Sequence, residues 1–231
     1  MIKEFSITPN VEEFLRVGGK KLQKILKSQR NQASFNVAVE DIKSLVNPKV
    51  GWKRVPIKKI ENGIVYLRNG LKIGGGPVSK VIKGAVEIVL AICTIGDLPE
   101  QKTREYMSGG KMFQSIILDS LSSWAVDSVR KQFCDWIKRE LHMNEGYRTS
   151  IMLSPGESDW SVEDQAVIFK ILEDEAHSIK VMLNESMVMV PIKSLTLLIG
   201  AGPNHLGKED GTNCEFCLQK DRCRYSKMRI S

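Results

Sequence analysis

Three cysteines crowd the C-terminal end of the chain as Cys214-x-x-Cys217-x5-Cys223, with His205 nine residues upstream. A Cys-x-x-Cys step lets two thiolates meet one metal from a tight turn, and a third cysteine extends the ligand set. With His205 the three would close a tetrahedral zinc site; alone, they would hold an iron–sulfur cluster whose fourth iron is ligated elsewhere or left open. Plain reduced thiols are the alternative. The chain has five cysteines, an odd number, which argues for thiols or metal ligands over a disulfide framework. Cys93 and Cys134 sit in apolar surroundings and read as small buried residues.

The second place where chemistry gathers is Ser154-Pro155-Gly156-Glu157-Ser158-Asp159-Trp160. Pro-Gly makes a turn whose glycine takes positive φ and lets a ligand approach the backbone. The turn feeds a helix start, where free N–H groups favour a carboxylate or phosphate. Asp159, just before the cap Ser161, could satisfy those donors itself, which would make the loop a capped helix entry. Farther on come Leu183-Asn184-Glu185-Ser186 and Met189-Val190-Pro191. Gly74-Gly75-Gly76-Pro77 lacks the Gly-Lys-Ser/Thr ending of a phosphate loop and reads as a flexible turn. His142 and His177 have no readable nucleophile and acid beside them, so no triad is assigned.

These residues need elements to hold them. Apolar spacing predicts a helix over about 10–28, with Gly18-Gly19 marking either close packing or the meeting of two helices. A second helix over 37–46 stops at Asn47-Pro48. From Val50 to Ile73 the pattern changes to β-rich stretches around Asn62-Gly63 and Asn69-Gly70, which predicts a small antiparallel meander. Pro77 to Gly84 brackets a short helix. Ala85 to Ile95 is nearly all apolar and predicts a buried central strand. One apolar stripe from Phe113 to Leu141 predicts a single helix of about 45 Å. Strands near 150–153, 179–183 and 194–199 complete the predicted sheet. A helix capped by Ser161 and Asp164 is expected to run to about Ala176. Strands and helices without regular alternation predict an α+β fold with a twisted, largely antiparallel sheet and long helices. Three segments are expected to pack as one unit: residues 1–83, an N-terminal helical and hairpin extension; 84–203, the α+β core; and 204–231, the Cys-rich basic tail.

The chain's 231 residues suffice for a sizeable core, and 42% hydrophobic with 26% charged residues is ordinary globular usage that indicates neither disorder nor a fibrous repeat. A formal charge of +7 permits an acidic partner without selecting one. The apolar runs are too short or too interrupted to span a bilayer, and the N-terminus has no signal-like core; a cytoplasmic protein with no membrane contact is expected. Basic residues interleaved with the C-terminal cysteines allow a zinc-stabilised nucleic-acid contact as a third, minor function class.

Taken in order, Thr94-Ile95-Gly96 at the end of the apolar strand, the long helix, Ser-Pro-Gly, Leu-Asn-Glu-Ser and Met-Val-Pro carry a family resemblance. The chain resembles the reactivation (S-adenosylmethionine-binding) domain of cobalamin-dependent methionine synthase over about residues 80–203. The Ser-Pro-Gly-x-x-Asp-Trp form looks most like stand-alone relatives of that domain. The resemblance implies an accessory role in methionine synthesis: S-adenosylmethionine is held beside a cobalamin carried by a partner, an external electron reduces cob(II)alamin, and methyl transfer traps the product. It implies as partner a corrinoid protein or a short cobalamin-dependent methionine synthase, with a ferredoxin- or flavodoxin-type electron donor. The implied ligand-contacting positions are Ser154, Pro155, Gly156, Glu157, Asp159, Glu185 and Asp119. The family's arginine before the turn falls on Met152, with Arg148 the nearest basic residue, and its tyrosine after the glycine falls on Glu157. Its long-helix acid falls near Ser123, with Asp119 and Asp127 a helical turn to either side. A corrinoid-associated electron carrier working through the C-terminal metal, with a vestigial ligand site, is the other function this architecture would serve.

Overall fold

The computed structural model describes residues 1–7, 11–217 and 220–222. Along the chain run β1 (Ile2–Glu4), α1 (Val11–Ile25), α2 (Gln29–Leu45), β2 (Lys49–Glu61), β3 (Ile64–Leu67), β4 (Lys72–Gly74) and α3 (Val78–Val81). Then follow β5 (Glu87–Thr94), α4 (Leu98–Ser108), α5 (Met112–Glu145), β6 (Arg148–Thr149), α6 (Asp164–Ile171) and α7 (Glu173–Ser178). The remaining elements are β7 (Met182–Leu183), β8 (Met189–Val190), β9 (Ser194–Gly202) and a 3₁₀ turn at Asn213–Phe216.

The main sheet has the order β4-β3-β2-β5-β9-β6, with β1 added to β2, and all its pairings are antiparallel. β5 lies between β2 and β9, and its apolar run is buried on both faces. Ile88, Leu90 and Ile92 enter one core with Trp160, Ile168 and Leu172; Val89, Ala91 and Cys93 enter another with Val129, Phe133 and Ile137 of α5. The strand's two-residue period thus splits one apolar segment between two cores. A third core joins Phe35, Ala38 and Ile42 of α2 to Tyr106 of α4 and Leu118 and Leu121 of α5. No helix among the described residues is long and apolar enough to cross a membrane.

The meander, the central strand and the long helix fall where the periodicity places them. β2 lies at the centre of the sheet, so hydrogen bonding runs directly across residue 83. Gly19 at φ 62°, ψ −168° interrupts α1, and two helices meet there. Four expectations need correction. α2 begins at Gln29, eight residues before the expected start, because polar first turns carry no apolar stripe. α4 was not foreseen: its sequence is mostly polar and only Pro99 and Tyr106 are buried. The helix after Trp160 starts at Asp164 and breaks near Leu172 into α6 and α7. Residues 182–183 do not complete the main sheet; they pair with β8 in a separate hairpin, Met182 opposite Val190 and Leu183 opposite Met189. Residues 204–217 run back across α3, with the amides of Gly207 and Lys208 donating to the carbonyls of Lys83 and Val81.

Candidate ligand-binding site

Ser154 and Glu157 close a β-turn, the Glu157 amide donating to the Ser154 carbonyl at 3.2 Å. Gly156 takes φ 87° at the third position, the geometry of a type II turn that favours glycine. Its amide donates to the Trp160 carbonyl at 2.8 Å, so the loop is knitted to itself. Trp160 is buried in the core and its indole N–H donates to Asp164 Oδ2 at 2.7 Å. The same oxygen accepts the Gly74 amide at 2.8 Å. Asp164 therefore anchors the loop to the meander rather than closing a capping box; Ser161 Oγ accepts the Glu163 amide at 3.2 Å.

The glycine run is packed, not a free turn. A Cβ on Gly76 would meet the Ser158 carbonyl oxygen at 2.3 Å and the Trp160 nitrogen at 2.8 Å. Absence of a side chain there lets two backbones touch.

This loop forms one wall of an open cleft of about 270 Å³, just under the usual range of roughly 300–1,000 Å³ for small-molecule sites. Asp127 and Arg130 of α5 form a second wall, and Gln165 of α6 with Met189, Leu195 and Thr196 of β8 and β9 completes it. Arg130 donates through Nε to Asp127 Oδ1 at 2.9 Å, a second bond joins Nη2 to the same oxygen, and Nη1 donates to the Met152 sulfur at 2.8 Å. A guanidinium has five N–H donors. Three are engaged among the described residues, leaving one on each terminal nitrogen. Thr196, 2% exposed, and Gln165, 6% exposed, are the buried polar groups of the lining.

The predicted site residues separate into two sets. Ser154, Pro155, Gly156 and Glu157 line the cleft. Asp159, at φ 62°, is exposed and does not. Asp119 lies outside it, paired with Lys193 at 2.8 Å; Lys193 also donates to Ser123. Asp127, one turn farther along α5, is the helix acid that reaches the cleft. Glu185 is exposed in the β7–β8 turn, where Asn184 Oδ1 accepts the Ser186 and Val188 amides. The Leu-Asn-Glu-Ser step thus shapes a hairpin that delivers Met189 to the cleft.

Arg130 was missed by sequence reasoning. The search for a cation centred on the residues flanking Met152, where Arg148 instead pairs with Glu209 at 2.6 Å. The signal available was its spacing, three residues after Asp127 on the predicted helix.

At the C-terminal end, Cys214 and Cys217 share one 3₁₀ turn, the Cys217 amide donating to the Cys214 carbonyl at 3.1 Å. Cys223 lies outside the described residues. His205 is 86% exposed on its side chain and faces Glu209, Nδ1 to Oε1 3.4 Å. No group of three metal-capable side chains forms among the described residues. Asn213 ties this turn to the Ser154–Trp160 loop: its Nδ2 donates to Glu157, and its carbonyl accepts Ser158 Oγ at 3.4 Å.

No family model matches the chain, and no curated protein does. Among solved structures it is similar to the crystal structure of the MetH reactivation domain bound to AdoHcy, with a TM-score of 0.60 and 13% identity. The match covers 100% of this chain and 87% of that one. The molecule is therefore an α+β protein with the reactivation-domain fold: a curled antiparallel sheet backed by long helices.

Proposed function

We propose that the chain is an accessory protein for reductive reactivation of a corrinoid, and that its cleft takes S-adenosylmethionine or its product S-adenosylhomocysteine. The partner is a corrinoid protein or a short cobalamin-dependent methionine synthase, supplied with electrons by a ferredoxin- or flavodoxin-type donor. S-Adenosylmethionine would supply the methyl group that passes to the reduced corrinoid of the partner. This chain's own residues bind and orient. Arg130, braced by Asp127, offers its two remaining N–H groups to the ligand carboxylate, taking from α5 the role that an arginine at position 152 would have served. Glu157, on the opposite wall, favours the cationic end of the ligand. The Gly156 turn keeps that wall low enough for close approach.

The observation that carries this reading is the guanidinium placed against Met152, within the fold that the reactivation domain shares. Calorimetric titration of the reduced protein with S-adenosylmethionine and S-adenosylhomocysteine tests it. Micromolar binding is expected, with Arg130→Met losing about 1.5–3 kcal/mol, roughly ten- to hundred-fold. No heat at millimolar ligand overturns it.

A second role rests on Asn213, which joins the Cys214–Cys217 turn to the ligand loop. With Cys223, these thiols would hold zinc or an iron–sulfur cluster beside the cleft. Anaerobically prepared protein without zinc or iron removes that role.

A further inference from the structure

Gln165 lines the cleft from the first turn of α6, and it is 6% exposed. Its Oε1 has no hydrogen-bond partner among the described residues. Burying an amide oxygen without a donor is costly, so such a group calls for an explanation, and a bound donor from outside the chain is one. The following residues Val167, Ile168 and Phe169 pack in the core, and the adjacent Asp164 uses Oδ2 to anchor the loop.

We propose that Gln165 is the specificity-determining residue of the cleft, its Oε1 receiving a neutral N–H or O–H donor of the ligand. The inference rests on the ligand reading above and deepens it. Arg130 and Glu157 select a molecule carrying both signs of charge, which any amino acid satisfies. Gln165 adds a third requirement: an uncharged donor on the remaining part of the ligand. A base amino group or a sugar hydroxyl qualifies; a hydrocarbon does not. The cleft then distinguishes a nucleoside-bearing amino acid from methionine or homocysteine alone, because a site built around a hydrogen bond strongly rejects analogues that lack it.

The test compares wild type with Gln165→Leu and Gln165→Glu in the full chain, using thermal unfolding without ligand and titration with S-adenosylhomocysteine. Leucine removes the orphaned oxygen at similar volume, so Q165L is expected to melt at a higher temperature than wild type and to bind roughly ten- to hundred-fold more weakly. Q165E keeps an acceptor of the same length but places a carboxyl at a buried position, so it is expected to melt below wild type and still to bind more tightly than Q165L. A group serving the fold alone would give the reverse pattern, and a lower melting temperature for Q165L overturns the proposal whatever the ligand does. Wild-type binding with unchanged Q165L affinity also overturns it, while leaving the ligand reading intact. A stabilised Q165L in a protein that ignores S-adenosylhomocysteine sinks that ligand instead, and supports Gln165 as the contact for a different donor.

Discussion

Gly76 and Asp164 show how single residues hold the Ser154–Trp160 loop in place. Gly76 combines φ 47° with direct contact against the Ser158 carbonyl, so any side chain meets both backbone strain and a clash. Gly76→Ala is expected to cost about 2–4 kcal/mol, lowering the melting temperature by roughly 5–15 °C. Gly70, at φ 85° with open space around its Cβ position, carries only the backbone term. Gly70→Ala is therefore the control, at about 1 kcal/mol. Equal losses in the two variants would show that the glycine run does not support the loop. Asp164 acts through a single oxygen that accepts from Trp160 and from Gly74, joining loop, helix and meander.

At the level of elements, α5 does most to organise the site. Its 34 residues make a rod of about 51 Å. One end packs against α2 and α4, the middle lies on the sheet, and the cleft-facing side presents Asp127 and Arg130. Phe133 fixes the helix on the sheet: it is fully buried, with ring centroids 6.0 Å from Trp52 and 5.8 Å from Trp136. Phe133→Ala is expected to destabilise the protein by about 3–5 kcal/mol in denaturant unfolding. A loss under 1 kcal/mol would mean that the helix is held mainly by its α2–α4 end. The β7–β8 hairpin has a smaller task, since its turn is closed by Asn184 and its contribution to the cleft is Met189.

The molecule as a whole is closed by contacts between distant segments, and several depend on carboxylates. Arg148 beside Glu209, with help from the Leu206 amide, holds the Glu209 carboxyl down at about 2 against its ordinary 4.5. Arg54 lowers Glu145, and Lys208 lowers Glu215. A depressed carboxyl stabilises the folded state fully above its unfolded value of about 4.5, and loses that contribution as pH falls through its folded value. Stability is thus expected to decline from about pH 4.5 towards pH 2. Because Glu209 ties residues 204–217 to Arg148 of β6, and Glu215 pairs with Lys208 inside the segment, that segment should loosen with the decline. Glu209→Gln is expected to flatten the dependence in that window, read by thermal unfolding against pH. An unchanged slope would place the acid sensitivity elsewhere.

By itself, the sequence determined the α+β class, the meander, the doubly buried central strand, the long helix and the Pro-Gly turn at the site. Those features follow from local rules: the Asn62-Gly63 and Asn69-Gly70 steps select hairpin turns, and a 3.6-residue apolar stripe has one stable form. The order of motifs also carried the resemblance to a reactivation domain, whose fold the molecule has. Only the tertiary structure decided which polar residues share the cleft. Asp127 pairs with Arg130 three residues on along the same helix, a local contact, whereas Asp119 meets Lys193 from a distant segment; only the packing of α5 against the loop and β9 sets the Asp127–Arg130 pair, and not Asp119, on the cleft. The glycine run could not be recognised as a support, because its partner lies more than eighty residues away in the Ser158–Trp160 backbone. The same reason hid Arg130: its approach to Met152 spans 22 residues and two elements, and no local pattern encodes a distance of that kind.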